Sequence, residues 1–253
     1  MCVIVYKPAG SDMVGKKTLK RCFEHNPDGA GYMLARDGKV VWKKGFMTFD
    51  SLRESLKSEG DLKYKNVVIH FRITTQGGVQ QALCHPFPVC SDYESMRALT
   101  GEAEHAIAHN GIIHSCSSYM VKDHNDTMEW IRKFASPVMD LCPDWRDNPT
   151  AKGLIENLSE NNKFAIMDGD GSVTLVGDFI YDKDRKCWFS NLSYMPYVAD
   201  VRPAFKGKAK KDDANPSWSL IRDDDGWRRL YPNCDPYDPY DDDDDFLHEH
   251  ILR

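Results

Sequence analysis

The chain has no long apolar run, no Cys-x-x-Cys pair and no excess of positive charge, and each absence removes a class of protein. Its apolar segments, Val3 to Tyr6, Val67 to Phe71 and Phe164 to Met167, fall far short of the roughly 20 residues that span a bilayer. No basic-then-apolar leader is present, so a soluble, cytoplasmic protein is expected. The eight cysteines, at positions 2, 22, 84, 90, 116, 142, 187 and 234, are scattered through a chain too long to need disulfide stapling, and reduced thiols are expected. The net charge of −6 argues against a nucleic-acid partner, because phosphate contacts need clustered Lys and Arg.

Two further absences concern cofactors. Gly29-Ala30-Gly31 is the closest approach to a glycine-rich phosphate cradle, and no Lys-Ser or Lys-Thr follows it. No nucleotide cofactor is expected. His105, His109 and His114 have no acidic or cysteine neighbour at ligand spacing, and His248-Glu249-His250 is too short for a helical zinc motif. No metal is expected, and the histidines read as solvated or core residues.

What is present suits one sizeable core: 253 residues with 41% hydrophobic content place the chain among globular proteins. A domain is expected over residues 2–199. Residues 200–253 pass from the basic cluster Lys206 to Lys211 into Asp223 to Asp225 and Asp241 to Asp245, broken by Pro216, Pro232, Pro236 and Pro239. This composition predicts a partly disordered acidic tail, either a solubilising extension or a partner-docking segment.

Periodicity and punctuation predict the elements. Met1 to Tyr6 reads as a buried strand, placing Cys2 at the mouth of a sheet, and Lys16 to His25 reads as a helix ending at Asn26-Pro27-Asp28-Gly29. Asp37-Gly38 between Gly31 to Leu34 and Lys39 to Trp42 is a hairpin signal. A helix from Thr48 or Asp50 to Lys57 comes next. Asn66 to Arg72 is strand-like and runs into Thr74-Thr75-Gln76-Gly77-Gly78, where glycine loosens the backbone beside polar side chains. A loop holding His85-Pro86-Phe87-Pro88 precedes a strand at His105 to Ala108 that stops at His109-Asn110-Gly111. Helices are predicted at Asp126 to Phe134 and Ala151 to Leu158, and strands at Phe164 to Met167, Ser172 to Val176 and Lys186 to Leu192. Strands in two groups with helices between them predict an α+β layered fold.

Cys2 carries the most chemistry. Once Met1 is removed, its thiol and a free α-amino group share one residue, and the amine can serve as base for the thiol directly or through a water. The amine titrates near neutrality and a thiol about one unit higher, so a proton can pass between them. Four more segments follow Met1-Cys2-Val3-Ile4 in order: Asn26-Pro27-Asp28-Gly29-Ala30-Gly31, His70-Phe71-Arg72-Ile73-Thr74-Thr75-Gln76-Gly77, His109-Asn110-Gly111-Ile112 and Asn125-Asp126-Thr127. Taken singly each has a plain structural reading: Arg72 as a surface ion-pair former, Asn110-Gly111 as a turn dipeptide, Asp126 as a helix cap.

Taken together, over roughly residues 2 to 195, they resemble the glutaminase domain of the class II glutamine amidotransferases, which belong to the N-terminal nucleophile hydrolases. The resemblance implies a four-layer αββα sandwich in which Cys2 attacks the glutamine side-chain amide, releases ammonia and keeps a γ-glutamyl thioester. It implies Arg72 as the clamp for the substrate α-carboxylate, a role suited to a planar bidentate donor, and Asp126 as the partner of the α-ammonium. Asn110 and Gly111 match the oxyanion-hole pair, and Thr75 and Gly77 fall where the glutamine pocket is lined. Phe71, Ile73 and Gln76 depart from the family's usual residues after the strand histidine, and Glu24-His25-Asn26 precedes Pro27 where an arginine-glycine pair is usual.

Nothing after residue 200 reads as a fused ammonia-accepting synthase. The implied activity is therefore a stand-alone glutaminase or the glutaminase partner of a separate acceptor enzyme in trans, acting on a small-molecule amide without a cofactor. Two alternatives remain: hydrolysis or γ-glutamyl transfer on another amide, and a catalytically idle binding protein on the same fold.

Overall fold

A computed structural model describes residues 2–74, 78–117 and 123–196. The expected acidic tail, together with Thr75, Gln76 and Gly77, lies outside the described residues. Eleven strands are formed among them: β1 (Val3–Lys7), β2 (Ala30–Arg36), β3 (Lys39–Phe46), β4 (Val67–Phe71), β5 (Phe87–Pro88), β6 (Thr100–Ala103), β7 (His105–Asn110), β8 (Lys163–Asp168), β9 (Val173–Val176), β10 (Ile180–Asp182) and β11 (Cys187–Phe189). They make a seven-stranded sheet in the order β10-β11-β1-β4-β2-β3-β6 and a four-stranded sheet in the order β5-β7-β8-β9. Every pairing is antiparallel.

Side-chain alternation along the strands explains how the layers stack, since neighbouring residues point to opposite faces. Val3 and Val5 of β1 join Tyr32, Leu34, Val67 and Ile69 against Leu19, Cys22 and Phe23 of α1 (Lys16–His25) and Leu52 and Leu56 of α2 (Phe49–Ser58). Ile4, Met33, Val40, Trp42 and Val68 face the other way and meet Ala106, Ala108, Ala165 and Met167 of the small sheet. Alanine on three of those four facing positions lets the two sheets approach closely. The outer face of the small sheet, with Ile107, Phe164 and Ile166, is covered by Met128, Trp130, Ile131, Ala135 and Ile155. The molecule is thus α+β, with helices on the outer faces of two stacked antiparallel sheets.

The remaining helices are α3 (Tyr93–Arg97), α4 (His114–Ser117), α5 (Asp126–Trp130), α6 (Ser136–Leu141) and α7 (Pro149–Leu158). A π-helical turn at Ile131–Ala135 joins α5 to α6. The expectation of a helix ending at Phe134 is corrected here: the segment continues to Leu141. Pro137 has no N–H to donate, and the wider turn before it absorbs the missing rung that would otherwise break the helix. The short strands β5, β6 and β10 and the helices α3 and α4 were not expected; each is too short to show a period of its own. No helix among the described residues is long and apolar enough to cross a membrane.

Candidate active site

Among the described residues, Cys2, Arg72 and Asn110 lie at the ends of β1, β4 and β7. β1 lies between β11 and β4, with Val3 opposite Phe71, so Cys2 sits beside the residues that leave β4. Its Sγ lies 3.4 Å from Ile73 N and 3.5 Å from Ile73 O, accepting from the one and donating to the other. The thiol is half-buried. Burial pushes it above the ordinary cysteine value, against the opposing pull of the Ile73 N–H and the Arg72 charge. At neutral pH it is therefore a thiol that needs a base, not a standing thiolate.

Arg72 is buried directly after β4, and its surroundings zip it to the turn before β2. Arg72 N donates to Gly29 O at 2.8 Å, Asp28 N donates to Arg72 O at 3.0 Å, and the guanidinium donates to Gly78 O at 3.0 Å. Asp28 closes the turn by accepting from Thr74 N at 2.7 Å. Gly29 is required there: it holds φ +120°, and a Cβ would stand 2.5 Å from Cys84 Sγ. Gly31 has a different reason, since a Cβ would come within 2.2 Å of His85 O. Gly29-Ala30-Gly31 is thus the close-packed entry to a strand.

Asn110 and Gly111 arrive from the small sheet. Asn110 is the last residue of β7, two positions beyond the predicted strand end, and its Nδ2 donates to Ser190 Oγ at 2.9 Å. Its Oδ1 is buried with no hydrogen-bond partner among the described residues. Gly111 has φ +149°, and a Cβ would lie 1.7 Å from Asn162 Oδ1, so this Asn-Gly pair is fixed by packing as well as by turn geometry. Asp126 sits at the start of α5, where the capping role belongs to Asn125, which accepts from Met128 N at 3.0 Å. The Asp126 carboxylate instead accepts from Ile113 N at 2.8 Å and Thr127 N at 2.9 Å, tying α5 to the chain just past Gly111. Thr75 and Gly77 lie outside the described residues.

Beneath these residues lies a polar cluster that sequence reasoning missed. His70 Nε2 bonds His109 O at 3.0 Å across the two sheets, and the Thr127 hydroxyl stands 3.1 Å from His85 Nε2 and 2.8 Å from His109 Nδ1. All three rings are buried. Desolvation, reinforced by neighbouring positive charge, lowers His70 to about 3 and His85 well below the ordinary histidine value; it lowers His109 as well, against the pull of Asp126. The cluster is therefore neutral. Of the histidines weighed as metal ligands, His109 is buried, within the expected solvated-or-core reading, whereas His105 has an acidic neighbour that spacing concealed: Asp168, 2.7 Å away across the β7–β8 pair.

Ser190 and Asn191 were also missed, because the predicted strand Lys186 to Leu192 marks no residue within it. Asn191 Nδ2 donates to Cys2 O at 2.6 Å. Among the described residues no group of His, Cys, Asp and Glu converges as a metal site. The described cysteines are all free thiols, and burial pushes Cys22 and Cys187 up to about 12, which keeps both unreactive.

No protein-family model matches the chain, and no curated protein matches it. Among solved structures it is similar to glutamine phosphoribosylpyrophosphate amidotransferase from B. subtilis in complex with ADP and GMP, at 15% identity and a TM-score of 0.39, over 75% of this chain and 41% of that one. The chain spans about two fifths of that protein's length.

Proposed function

We propose that the chain is an N-terminal-nucleophile amidohydrolase that releases ammonia from the glutamine side-chain amide through a γ-glutamyl thioester on Cys2. The observation that carries this reading is a half-buried Cys2 thiol held by Ile73, next in the chain to the buried Arg72 at the end of β4, with Asn110 linked through Ser190 Oγ to Ile4 of β1, two residues from Cys2. In this reading Met1 is removed and the new α-amine takes the thiol proton as sulfur attacks the amide carbon. Asn110 and the Gly111 N–H stabilise the oxyanion, the tetrahedral intermediate collapses, and the proton leaves with ammonia. Water then hydrolyses the thioester by the same base. The raised thiol value suits this order, because proton transfer is coupled to attack instead of preceding it.

Arg72 takes the substrate α-carboxylate and Asp126 the α-ammonium, with Thr75 and Gly77 lining the pocket. The fold is then the αββα sandwich of this hydrolase class over residues 2–199, with residues 200–253 as an acidic tail, in a cytoplasmic protein that delivers ammonia to water or to an acceptor enzyme in trans. The test is intact mass before and after incubation with diazo-oxo-norleucine, on the native chain and on Cys2→Ala. Loss of Met1 and one adduct that vanishes in Cys2→Ala are expected. A processed terminus that ignores the probe while other amides are hydrolysed moves the reading to another substrate, and a retained Met1 with no adduct moves it to a binding protein.

A further inference from the structure

β1 ends its ladder in an unusual way. Along its length the bonds to β11 are made by backbone, and Ser190 N still donates to Ile4 O at 2.9 Å. The next two links toward Cys2 are made by side chains: Ile4 N donates to Ser190 Oγ at 2.8 Å, and Asn191 Nδ2 donates to Cys2 O at 2.6 Å. Ser190 has no exposed surface, and the same Oγ that takes the Ile4 N–H also takes one Nδ2 hydrogen of Asn110. One hydroxyl oxygen thus joins the large sheet two residues from Cys2 to the last residue of β7 in the small sheet. The Ser190 carbonyl is itself held by Lys163 Nζ at 2.6 Å from β8.

We propose that Ser190 is the positioning residue of the candidate site: it fixes the Asn110 carboxamide in register with the nucleophile strand, so that the second Nδ2 hydrogen is presented to the oxyanion. Three geometric facts support it. The Asn110 Oδ1 has no partner of its own, so the bond to Ser190 is what orients the amide among the described residues. Two donors converge on Oγ, which uses both of its lone pairs and leaves no freedom to drift. The bridge also crosses from one sheet to the other, so a small slip between the sheets would move Asn110 relative to Cys2; a displacement of about 1 Å in such a constellation can cost about 100-fold in rate.

The proposal rests on the amidohydrolase reading, and its test separates the two. Steady-state glutamine hydrolysis is measured for the native chain, Ser190→Ala, Asn110→Ala and the double variant, together with NMR exchange rates of the Asn110 side-chain amide hydrogens. The expected result is a fall in kcat of about 10- to 100-fold for Ser190→Ala with KM within twofold, and a double variant no worse than Asn110→Ala. Asn110 amide protection is lost in Ser190→Ala. Ser190→Cys keeps the volume with a weaker acceptor and serves if the alanine variant fails to fold; it gives an intermediate loss. An unchanged kcat, or losses that multiply in the double variant, would overturn the role. If the native chain hydrolyses no amide, the amidohydrolase reading fails, and unchanged Asn110 protection in Ser190→Ala or Ser190→Cys still refutes the positioning.

Discussion

Cys2 and Lys7 bracket the same strand, and the two ends of β1 are finished in opposite ways. At the Lys7 end a fully buried ammonium donates to three backbone carbonyls, Leu62 at 2.5 Å, Lys63 at 3.0 Å and Lys65 at 2.9 Å, so each of its protons has an acceptor. At the Cys2 end, buried Asn110 Oδ1, Thr74 Oγ1, His70 Nδ1 and His85 Nδ1 have no partner among the described residues. A buried polar atom without a partner costs about 1–3 kcal/mol. The first end is saturated by its own backbone, and the second keeps spare hydrogen-bonding capacity beside the proposed nucleophile.

The contrast can be broken at either end. Cys2→Ala should abolish glutamine turnover, on the order of 10⁶-fold as for other removed nucleophiles, with an unchanged melting midpoint; residual activity near the native rate in a coupled ammonia assay would refute the nucleophile. Asn110→Ala should lower kcat by about 10²- to 10³-fold, read by the same assay. Lys7→Met should do the reverse. One buried and two part-buried carbonyls lose their donor, stability falls by about 2 kcal/mol and the midpoint by roughly 4–8 °C, while turnover per folded molecule stays native. A calorimetric midpoint unmoved by Lys7→Met would show that the clamp contributes nothing.

The smallest effect concerns acid. His70 has a folded value of about 3, below its unfolded value near 6.5. The unfolded chain therefore takes up a proton that the folded chain refuses. Stability from this source is complete above about pH 6.5 and declines as pH falls from there toward 3. His85 and His109, lowered in the same direction, add to the slope. Chemical denaturation at a series of pH values should show it, and His70→Gln should flatten it; an equal slope in that variant would place the acid sensitivity elsewhere.

Much of this frame is legible in the sequence, where local pattern decides. The Asp37-Gly38 hairpin falls as expected, the helix over Lys16 to His25 is observed at those bounds, and α2 begins at Phe49 behind Thr48, whose side chain accepts from Ser51 N. The strand ends shift by up to four residues because pairing, not composition, sets them: β3 runs on to Phe46, β11 stops at Phe189, and β7 runs on through Asn110 because Lys163 lies opposite. What escapes a linear reading is anything that needs a neighbour distant in sequence. Ser190 lies 80 residues from Asn110 and 186 from Ile4, and only the sheet order brings them together. The three-histidine cluster is likewise assembled from β4, the segment before β5, and β7, so no spacing announces it.

The order of the strands has a consequence for when this site can exist during synthesis. β1 emerges first but acquires its second neighbour only when β11, the last strand described, has formed. Until residues 187–191 leave the ribosome, the strand bearing Cys2 has one open edge, and Asn191 and Ser190 cannot yet hold Cys2 O, Ile4 N and Asn110. A contact spanning nearly the whole described chain forms late, because its loop must close against a large entropy. The arrangement of Cys2 and Asn110 on which the proposed chemistry depends therefore waits on the last strand described and not on β1 itself.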